Sequence, residues 1–341
     1  MREWNHENIP LHMLRPATVG EILDNAVELY RRYFRKFFFI LLYYGFISAA
    51  LSILMRILFI WGEGQVKELA EMGKDGVDQI DIIVTAINTM TLGASLGGLM
   101  YVATVWTFIV MIGAVTYAVW QVLQGKPFTP IGAYKAALKR WKSLFFATVL
   151  TVVTIYAAAL AGVVPGYFLL ILAAIIESKA LLATVGIAVA VGALLGVVVV
   201  LAKVFLTPVV VMIEDKAGLP AILRSATLAT HIAESGFKRH PLVRASVLLT
   251  VLSAVWVAYG AFIAIPRVVL MYTYQFKDII SNPAGLSSMG SIPLSYDLII
   301  TAFTILYTAL VMPYLIISLV LFYNDLKMRR EGTDLSAPSR G

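Results

Sequence analysis

One pattern occurs three times along this chain and restricts its fold more than any other feature. In each copy, a short amphipathic stretch rich in basic residues precedes two long apolar runs. The amphipathic stretches lie at residues 18–36, 129–142 and 219–234. An apolar run of about 18 or more residues is long enough to cross the hydrocarbon core of a bilayer. The pattern therefore predicts an all-α fold, a polytopic membrane bundle of six transmembrane helices in three repeats.

The composition agrees with a chain that lies mostly in lipid. Of the 341 residues, 60% are hydrophobic and 14% are charged, whereas a soluble domain carries about 25% charged residues. The six apolar runs lie at residues 38–60, 94–122, 144–176, 181–213, 246–272 and 298–323. We place the repeats at about 14–123, 124–214 and 215–335, with an acidic outer loop at 62–91 and a flexible tail at 336–341. Within the loop, residues 81–91 are apolar enough to form an extra turn or an outer interfacial helix.

The amphipathic stretches share start signals and a common register. Thr18 with Glu21 predicts a capping box, and Thr129 with Pro130 marks the start of the second stretch. The matching apolar positions are Ile22, Tyr134 and Ile222, then Ala26, Leu138 and Ala226. Such helices can lie in the lipid interface, brace the ends of the spans as a collar, or dock a partner. The sequence leaves these three interpretations open.

The distribution of charge predicts the orientation of the spans. The net charge is +7, and most of the 27 Lys and Arg residues precede the first span, join the second to the third or the fourth to the fifth, or follow the sixth. The positive-inside rule then predicts a multi-pass protein of the cell membrane with both termini in the cytoplasm. Because basic residues at a membrane surface attract anionic headgroups, we expect lipid contacts and no nucleic-acid partner.

Eleven basic residues are the candidates for contacts with lipid headgroups or with a protein partner in a membrane complex. They are Arg31, Arg32, Arg35, Lys36, Lys135, Lys139, Arg140, Arg224, Lys327, Arg329 and Arg330. A twelfth, Lys203, is the deepest charge in any apolar run and is the candidate intramembrane polar site. Its side chain either extends to the headgroups or lines a transport pathway, and both interpretations stay open.

No motif for chemistry occurs in this chain. It has no cysteine, and none of its four histidines has the spacing with glutamate that zinc hydrolysis requires. No Ser-His-Asp set can be assembled, and no glycine-rich loop has the pattern of a phosphate site. We therefore expect no enzyme, with no catalytic, cofactor-binding or metal-binding residues and no cofactor.

Three segments carry a resemblance to a known family. They are residues 14–37 (LRPATVGEILDNAVELYRRYFRKF), 207–230 (TPVVVMIEDKAGLPAILRSATLAT) and 321–335 (LFYNDLKMRREGTDL). They resemble the six-span membrane-domain family named for its fusion to glycerophosphoryl diester phosphodiesterases. The resemblance implies six spans and cytoplasmic termini. It does not imply hydrolysis, because the hydrolase of such fusions is a separate soluble barrel that this chain lacks.

The basic amphipathic stretches and the lack of a chemical motif together predict a role. We expect a non-enzymatic membrane protein that organises or anchors a larger complex, or serves as its accessory subunit. The alternative is a transporter or lipid-handling permease for a lipid or small solute, which the prolines within the apolar runs and Lys203 would favour.

Overall fold

The computed structural model describes residues 16–72, 79–175, 179–230, 240–271 and 294–331. Within these ranges the chain is almost entirely helical and contains no strand, so the predicted all-α class is confirmed. The helices are α1 (Val19–Arg32), α2 (Phe34–Met72), α3 (Gln79–Leu123), α4 (Pro130–Lys139), α5 (Trp141–Ile175), α6 (Lys179–Val204), α7 (Thr207–Glu214), α8 (Leu219–Thr230), α9 (Pro241–Met271) and α10 (Leu294–Glu331).

Six helical segments are long and apolar enough to cross a membrane, as the sequence predicted. They are Phe34–Gly62, Ile83–Leu123, Trp141–Leu172, Lys179–Glu214, Pro241–Phe262 and Leu298–Glu331. The chain is therefore a multi-pass membrane protein. The fourth segment combines α6 and α7, and each of the other five lies within a single long helix.

The fourth span is interrupted between α6 and α7 because Pro208 has no backbone N–H to donate. Two hydroxyl groups satisfy carbonyls at the interruption. Thr207 Oγ1 donates to the carbonyl of Val204 at 2.6 Å, and Ser225 Oγ of α8 donates to the carbonyl of Lys203 at 2.7 Å. The break is thus a stable feature of the fold, since it leaves these buried backbone groups with partners.

The first two amphipathic helices start at the predicted residues. Thr18 forms the expected capping box with Glu21, and Thr129 Oγ1 accepts a hydrogen bond from the N–H of Gly132 at 3.1 Å. The C-cap residues of the two helices have nearly the same backbone angles. Tyr33 after α1 has φ −111° and ψ 20°, and Arg140 after α4 has φ −111° and ψ 14°. Consequently α1 leads directly into α2, and α4 leads directly into α5.

The two helices pack in a register one residue away from the one inferred from the sequence. When their N-cap threonines are aligned, Ile22 and Ala26 match Ala133 and Ala137. All four matched side chains are at most 1% exposed. The sequence alignment had matched Ile22 and Ala26 to Tyr134 and Leu138. The sequence alignment followed the larger apolar residues, whereas the buried face of α4 is made of alanines that allow close helix packing.

The segment expected to be an acidic outer loop at residues 62–91 is largely helical. Helix α2 continues to Met72 and α3 begins at Gln79. The reason is local, because glutamate, lysine, leucine, alanine and methionine are all strong helix formers. The charge of glutamate and lysine does not prevent a helix. The predicted tail at 336–341 lies outside the described residues.

The chain divides into two compact units. The first comprises Met1–Ile40, Ile109–Trp256 and Pro313–Gly341, and it contains all three amphipathic helices. Its core includes the second half of α3, where a Cβ on Gly113 would overlap Leu144. The second unit comprises Leu41–Phe108 and Val257–Met312. There the hydroxyl of Tyr259 lies 3.0 Å from that of Thr308.

Candidate functional site

A cluster of charges around Asp325, which we call the Asp325 cluster, lies in the first unit. Asp325 belongs to the last turns of α10, and its side chain is only 2% exposed. One carboxylate oxygen accepts the backbone N–H of Ala17 at 2.8 Å, and the other lies 2.8 Å from Nη1 of Arg244. Arg329 Nε contacts both oxygens at 3.1 and 3.2 Å. The buried carboxylate is thereby compensated by two guanidinium groups.

The same two arginines also hold the backbone of Ala17. Its carbonyl accepts hydrogen bonds from Nη2 of Arg244 at 2.7 Å and from Nη2 of Arg329 at 3.1 Å. The Arg244 guanidinium also lies 5.8 Å from the ring centre of Phe322, within range of a cation–π contact. Ala17, the residue before the N-cap of α1, is therefore fixed to α9 and α10 through both its N–H and its carbonyl.

A second cluster, the Glu214 cluster, surrounds the last residue of α7. Glu214 accepts hydrogen bonds at 3.0 Å from Arg224 Nε and at 2.7 Å from the hydroxyl of Tyr323, and its carboxylate lies 2.9 Å from Lys216 Nζ. Arg224 Nη2 also pairs with Glu331 at the end of α10. Burial lowers the pKa of the Arg224 guanidinium, but the two carboxylates outweigh burial and raise it. The cluster thus joins α7, α8 and α10.

Arg140 adds further polar contacts at the end of α7. We call the Glu214 cluster, Arg140 and Ser225 together the polar layer. Its Nη1 donates to the carbonyls of Val211 and Met212 at 3.3 and 2.9 Å, and its Nη2 lies 3.2 Å from Asp215. A cation at this point neutralises the negative end of the helix dipole. Asp215 itself has φ 58°, the left-handed conformation that commonly ends a helix.

The structure separates the eleven predicted contact residues into two sets. The exposed set is Arg31, Arg32, Arg35, Lys36, Lys135 and Lys139. The partly buried set is Arg140, Arg224, Lys327, Arg329 and Arg330. In this second set Arg140, Arg224 and Arg329 make the intramolecular contacts described above. Contact of either set with lipid or with a protein partner stays a prediction.

Lys203 lies in the last turn of α6, directly before the break in the fourth span. Its side chain is half-buried, and the described part of the chain provides no acidic side chain within ion-pairing distance. Its backbone carbonyl is the group that accepts the hydrogen bond from Ser225. The role of Lys203 as an intramembrane polar site stays a prediction.

Several residues of this network, among them Asp325, Glu214 and Arg244, were not predicted as site residues from the sequence. A signal was available, because both acids lie within two residues of the end of a predicted span, where a charge needs a partner. Their partners were not predictable from spacing, since Ala17 and Asp325 are separated by 308 positions. Only the packed helices bring these groups together.

Open depressions occur on the surface of the described residues, and two of them are lined mainly by polar side chains. One, of about 450 Å³, is lined by Trp61, Asn88, Thr89, Thr91, Leu92 and Ser95. The other, of about 730 Å³, is lined by Asp24, Val27, Glu28, Arg31 and Arg32 of α1. Neither directs polar groups into an enclosed apolar cavity, which is the usual arrangement of a small-molecule site.

In comparisons with known proteins, no family model, no curated protein and no solved structure matches this chain. The resemblance to the phosphodiesterase-associated membrane domains therefore stays a prediction. The described parts of the three segments that carry it do meet in space. Ala17, Arg224 and Tyr323, one from each segment, all belong to the Asp325 and Glu214 clusters.

Proposed function

We propose that this chain is a non-enzymatic protein of the cell membrane that anchors or organises a larger complex, with both termini in the cytoplasm. The observation that carries the proposal is the exposure of the α5–α6 hairpin, whose apolar side chains are largely uncovered among the described residues. In the most apolar 18 residues of the third and fourth spans, 11% and 6% are buried, against 50% in the sixth. Lipid or another membrane helix must cover this surface.

The two helices of the hairpin pack closely on each other, although their outer side chains are exposed. A Cβ on Gly166 of α5 would overlap Val189 of α6, so the two helices are in close contact. Large apolar side chains point away from that contact, and those more than half exposed include Leu160, Val164, Ile187, Leu194 and Leu195. A surface of this kind supports docking to a partner span, because van der Waals packing drives helix association in lipid.

The base of the hairpin is fixed by the polar layer. Arg140 precedes α5 and is bound to the end of α7, while Ser225 of α8 holds the end of α6. A preformed surface loses less conformational entropy on binding than a mobile one. This rigidity supports a docking role, and the use of the buried charges in internal ion pairs supports a non-enzymatic one.

The proposed orientation is supported by the exposed basic residues next to two spans. Arg35 and Lys36 lie in the first turn of α2, and Lys135 and Lys139 lie in α4 directly before α5. All four are exposed. Their position at the same ends of the first and third spans agrees with the positive-inside rule.

Site-directed cross-linking in native membranes tests the docking role. Because the chain has no cysteine, single cysteines can carry a cross-linker at Ile187 and Leu194 of α6, with Leu99 of α3 as an equally exposed control. We expect one protein to be captured in fixed stoichiometry from the α6 positions and not from Leu99. Capture of lipid alone at the α6 positions would contradict the proposal.

A bulky residue at Gly192 separates docking from folding. A Cβ at Gly192 meets no heavy atom within 4 Å, and the same holds for Gly98 of α3, which serves as the control. We expect Gly192→Leu to abolish the complex on native gels while the purified protein keeps its thermal stability. Gly98→Leu should keep the complex. A Gly192→Leu protein that still forms the complex would argue against this surface.

The alternative, a permease for a lipid or small solute, is favoured by one observation. The fourth span is broken directly after Lys203, and broken helices line the substrate sites of many transporters. Reconstitution with candidate lipids or solutes tests it, since Lys203→Ala should then abolish flux without loss of the folded protein. Equal flux in vesicles with and without the protein would exclude this function for the solutes tested.

A further inference from the structure

The three amphipathic helices differ in what they leave on the surface. Helix α1 buries Ile22, Ala26 and Leu29 and leaves a charged face outside, which includes Asp24 and Glu28. Helix α4 does the reverse: it buries alanines and leaves its largest aliphatic side chains uncovered. The three helices can therefore differ in role, so that lipid contact, bracing of the spans or partner docking is decided for each helix separately.

The exposed face of α4 combines apolar and basic residues. Ile131 is 71% exposed and Leu138 is 41% exposed. Lys135 lies between them on the same face, at the i+4 position, and exposed Lys139 follows. The helix contains no acidic residue. Two aliphatic side chains with lysines along one side of them are complementary to a surface of acyl chains and anionic phosphates.

The chain connection places α4 at the membrane surface. The third span begins at Trp141, and only Arg140 separates it from the end of α4. Trp141 is 38% exposed, and tryptophan is enriched at the level of the headgroups. A helix joined to a span by one residue cannot leave the interface, so its uncovered aliphatic side chains must meet the membrane or a partner there.

We propose that α4 lies in the plane of the membrane as a docking helix for anionic phospholipid. Ile131 and Leu138 enter the boundary of the acyl chains, and Lys135 and Lys139 bind the phosphates. Helix α1 instead braces the bundle, because Ile22, Ala26 and Leu29 on its apolar face are already buried. This assignment does not depend on whether the α5–α6 hairpin docks a partner.

Helix α8 receives no such assignment, although it also exposes aliphatic side chains. Leu219 and Leu223 are 56% and 55% exposed. Its only basic residue, Arg224, is held by Glu214 and Glu331. Without an uncommitted cation, α8 has no group that would select an anionic headgroup over a zwitterionic one. The selectivity is therefore expected to reside in α4.

Spin labels on single cysteines measure the depth of the two helices. The full chain is placed in nanodiscs with labels at Ile131 or Leu138 of α4, and at Asp24 or Glu28 of α1 as the control. We expect the α4 labels to be accessible to oxygen and shielded from a water-soluble nickel complex, and the α1 labels to show the opposite. Nickel access at Ile131 and Leu138 would overturn the proposal.

Lipid selectivity is tested by neutralising the lysines. Native mass spectrometry compares the lipids retained from vesicles of equal parts phosphatidylethanolamine and phosphatidylglycerol. The test variant is Lys135→Gln/Lys139→Gln. Each of the two substitutions should lower the preference for phosphatidylglycerol by about fivefold. Arg31→Gln/Arg32→Gln of α1 should lower it less. Equal losses in the two variants, or none in the first, would overturn the proposal.

A protein on this face is the competing outcome, and native membranes distinguish it. If α4 docks lipid, the labels at Ile131 and Leu138 keep their oxygen access in native membrane vesicles. If a partner protein covers α4, the same labels lose access to both oxygen and nickel there, although they are oxygen-accessible in nanodiscs of the purified chain. That second result would contradict the assignment of α4 to lipid.

Discussion

Replacement of Asp325 by asparagine measures how strongly the Asp325 cluster holds the first helix to the last. Asparagine has almost the same size, so the change removes charge and leaves packing nearly unaltered. The Arg244 side chain is 8% exposed and would be left as a buried cation without its counter-ion. Breaking a buried ion pair from one side costs about 3–5 kcal/mol of unfolding free energy. We expect Asp325→Asn to destabilise the protein by this amount.

The exposure of Arg329 provides a matched comparison within the same cluster. Its side chain is 21% exposed, so it can regain water when the carboxylate is lost. Arg329→Gln also leaves Arg244 paired with Asp325. We therefore expect it to cost about 1 kcal/mol, close to the value of a partly exposed ion pair.

A double variant separates loss of charge from loss of structure. Arg244→Met with Asp325→Asn removes the buried cation together with the carboxylate and keeps an amide oxygen that can accept the N–H of Ala17. Removal of both charges of a buried pair is often neutral or stabilising. Unfolding free energies are measured in a mild detergent by denaturant titration with circular dichroism. The double variant should be more stable than Asp325→Asn alone, as coupled sites require. An Asp325→Asn protein within about 1 kcal/mol of the wild type would refute this account of the cluster.

Three further predictions concern the polar layer and α1. Ser225→Ala leaves the carbonyl of Lys203 without its donor, and we expect it to cost about 1–3 kcal/mol in the same titration. Arg140→Met should cost about 1–2 kcal/mol through the lost carbonyl bonds on α7, whereas Asp215→Ala should be nearly neutral because that carboxylate is 73% exposed. Burial raises the pKa of Tyr30 from 10.0 to about 12. The neutral phenol is thus favoured in the folded protein, so its contribution to stability is present below pH 10 and is lost as the pH rises through about 12. The difference in ultraviolet absorbance between the wild type and Tyr30→Phe during alkaline titration reports this pKa, and a midpoint near 10 would contradict it.

The different surfaces of α1 and α4 change how the basic residues of this chain are interpreted. The exposed lysines of α4 border uncovered aliphatic side chains, whereas Arg224 and Arg329 belong to internal ion pairs. Substitution of the internal arginines would therefore alter stability before it altered any contact with lipid. A mutational survey of the basic residues must separate these two groups before it assigns a headgroup site.

The six spans and the starts of the first two amphipathic helices were predictable from the sequence. Each depends on neighbouring residues: a span on a continuous apolar run, and a helix start on a side chain such as Thr18 or Thr129 bonding within its own first turn. The charged part of the segment at 62–91 was predicted as a loop, although its glutamates and lysines favour helix; a helix over 81–91 was already one of the alternatives.

Only the tertiary structure decided which charges are internal and which faces are uncovered. Asp325 meets Ala17 across 308 positions, and no local pattern encodes that distance. Hydropathy also cannot distinguish an apolar face that packs on protein, such as Ile22 in α1, from one left outside, such as Ile131 in α4. The physical reason is that lipid and protein interiors are similarly apolar, so the sequence by itself determined which segments enter the membrane, while packing determined their neighbours.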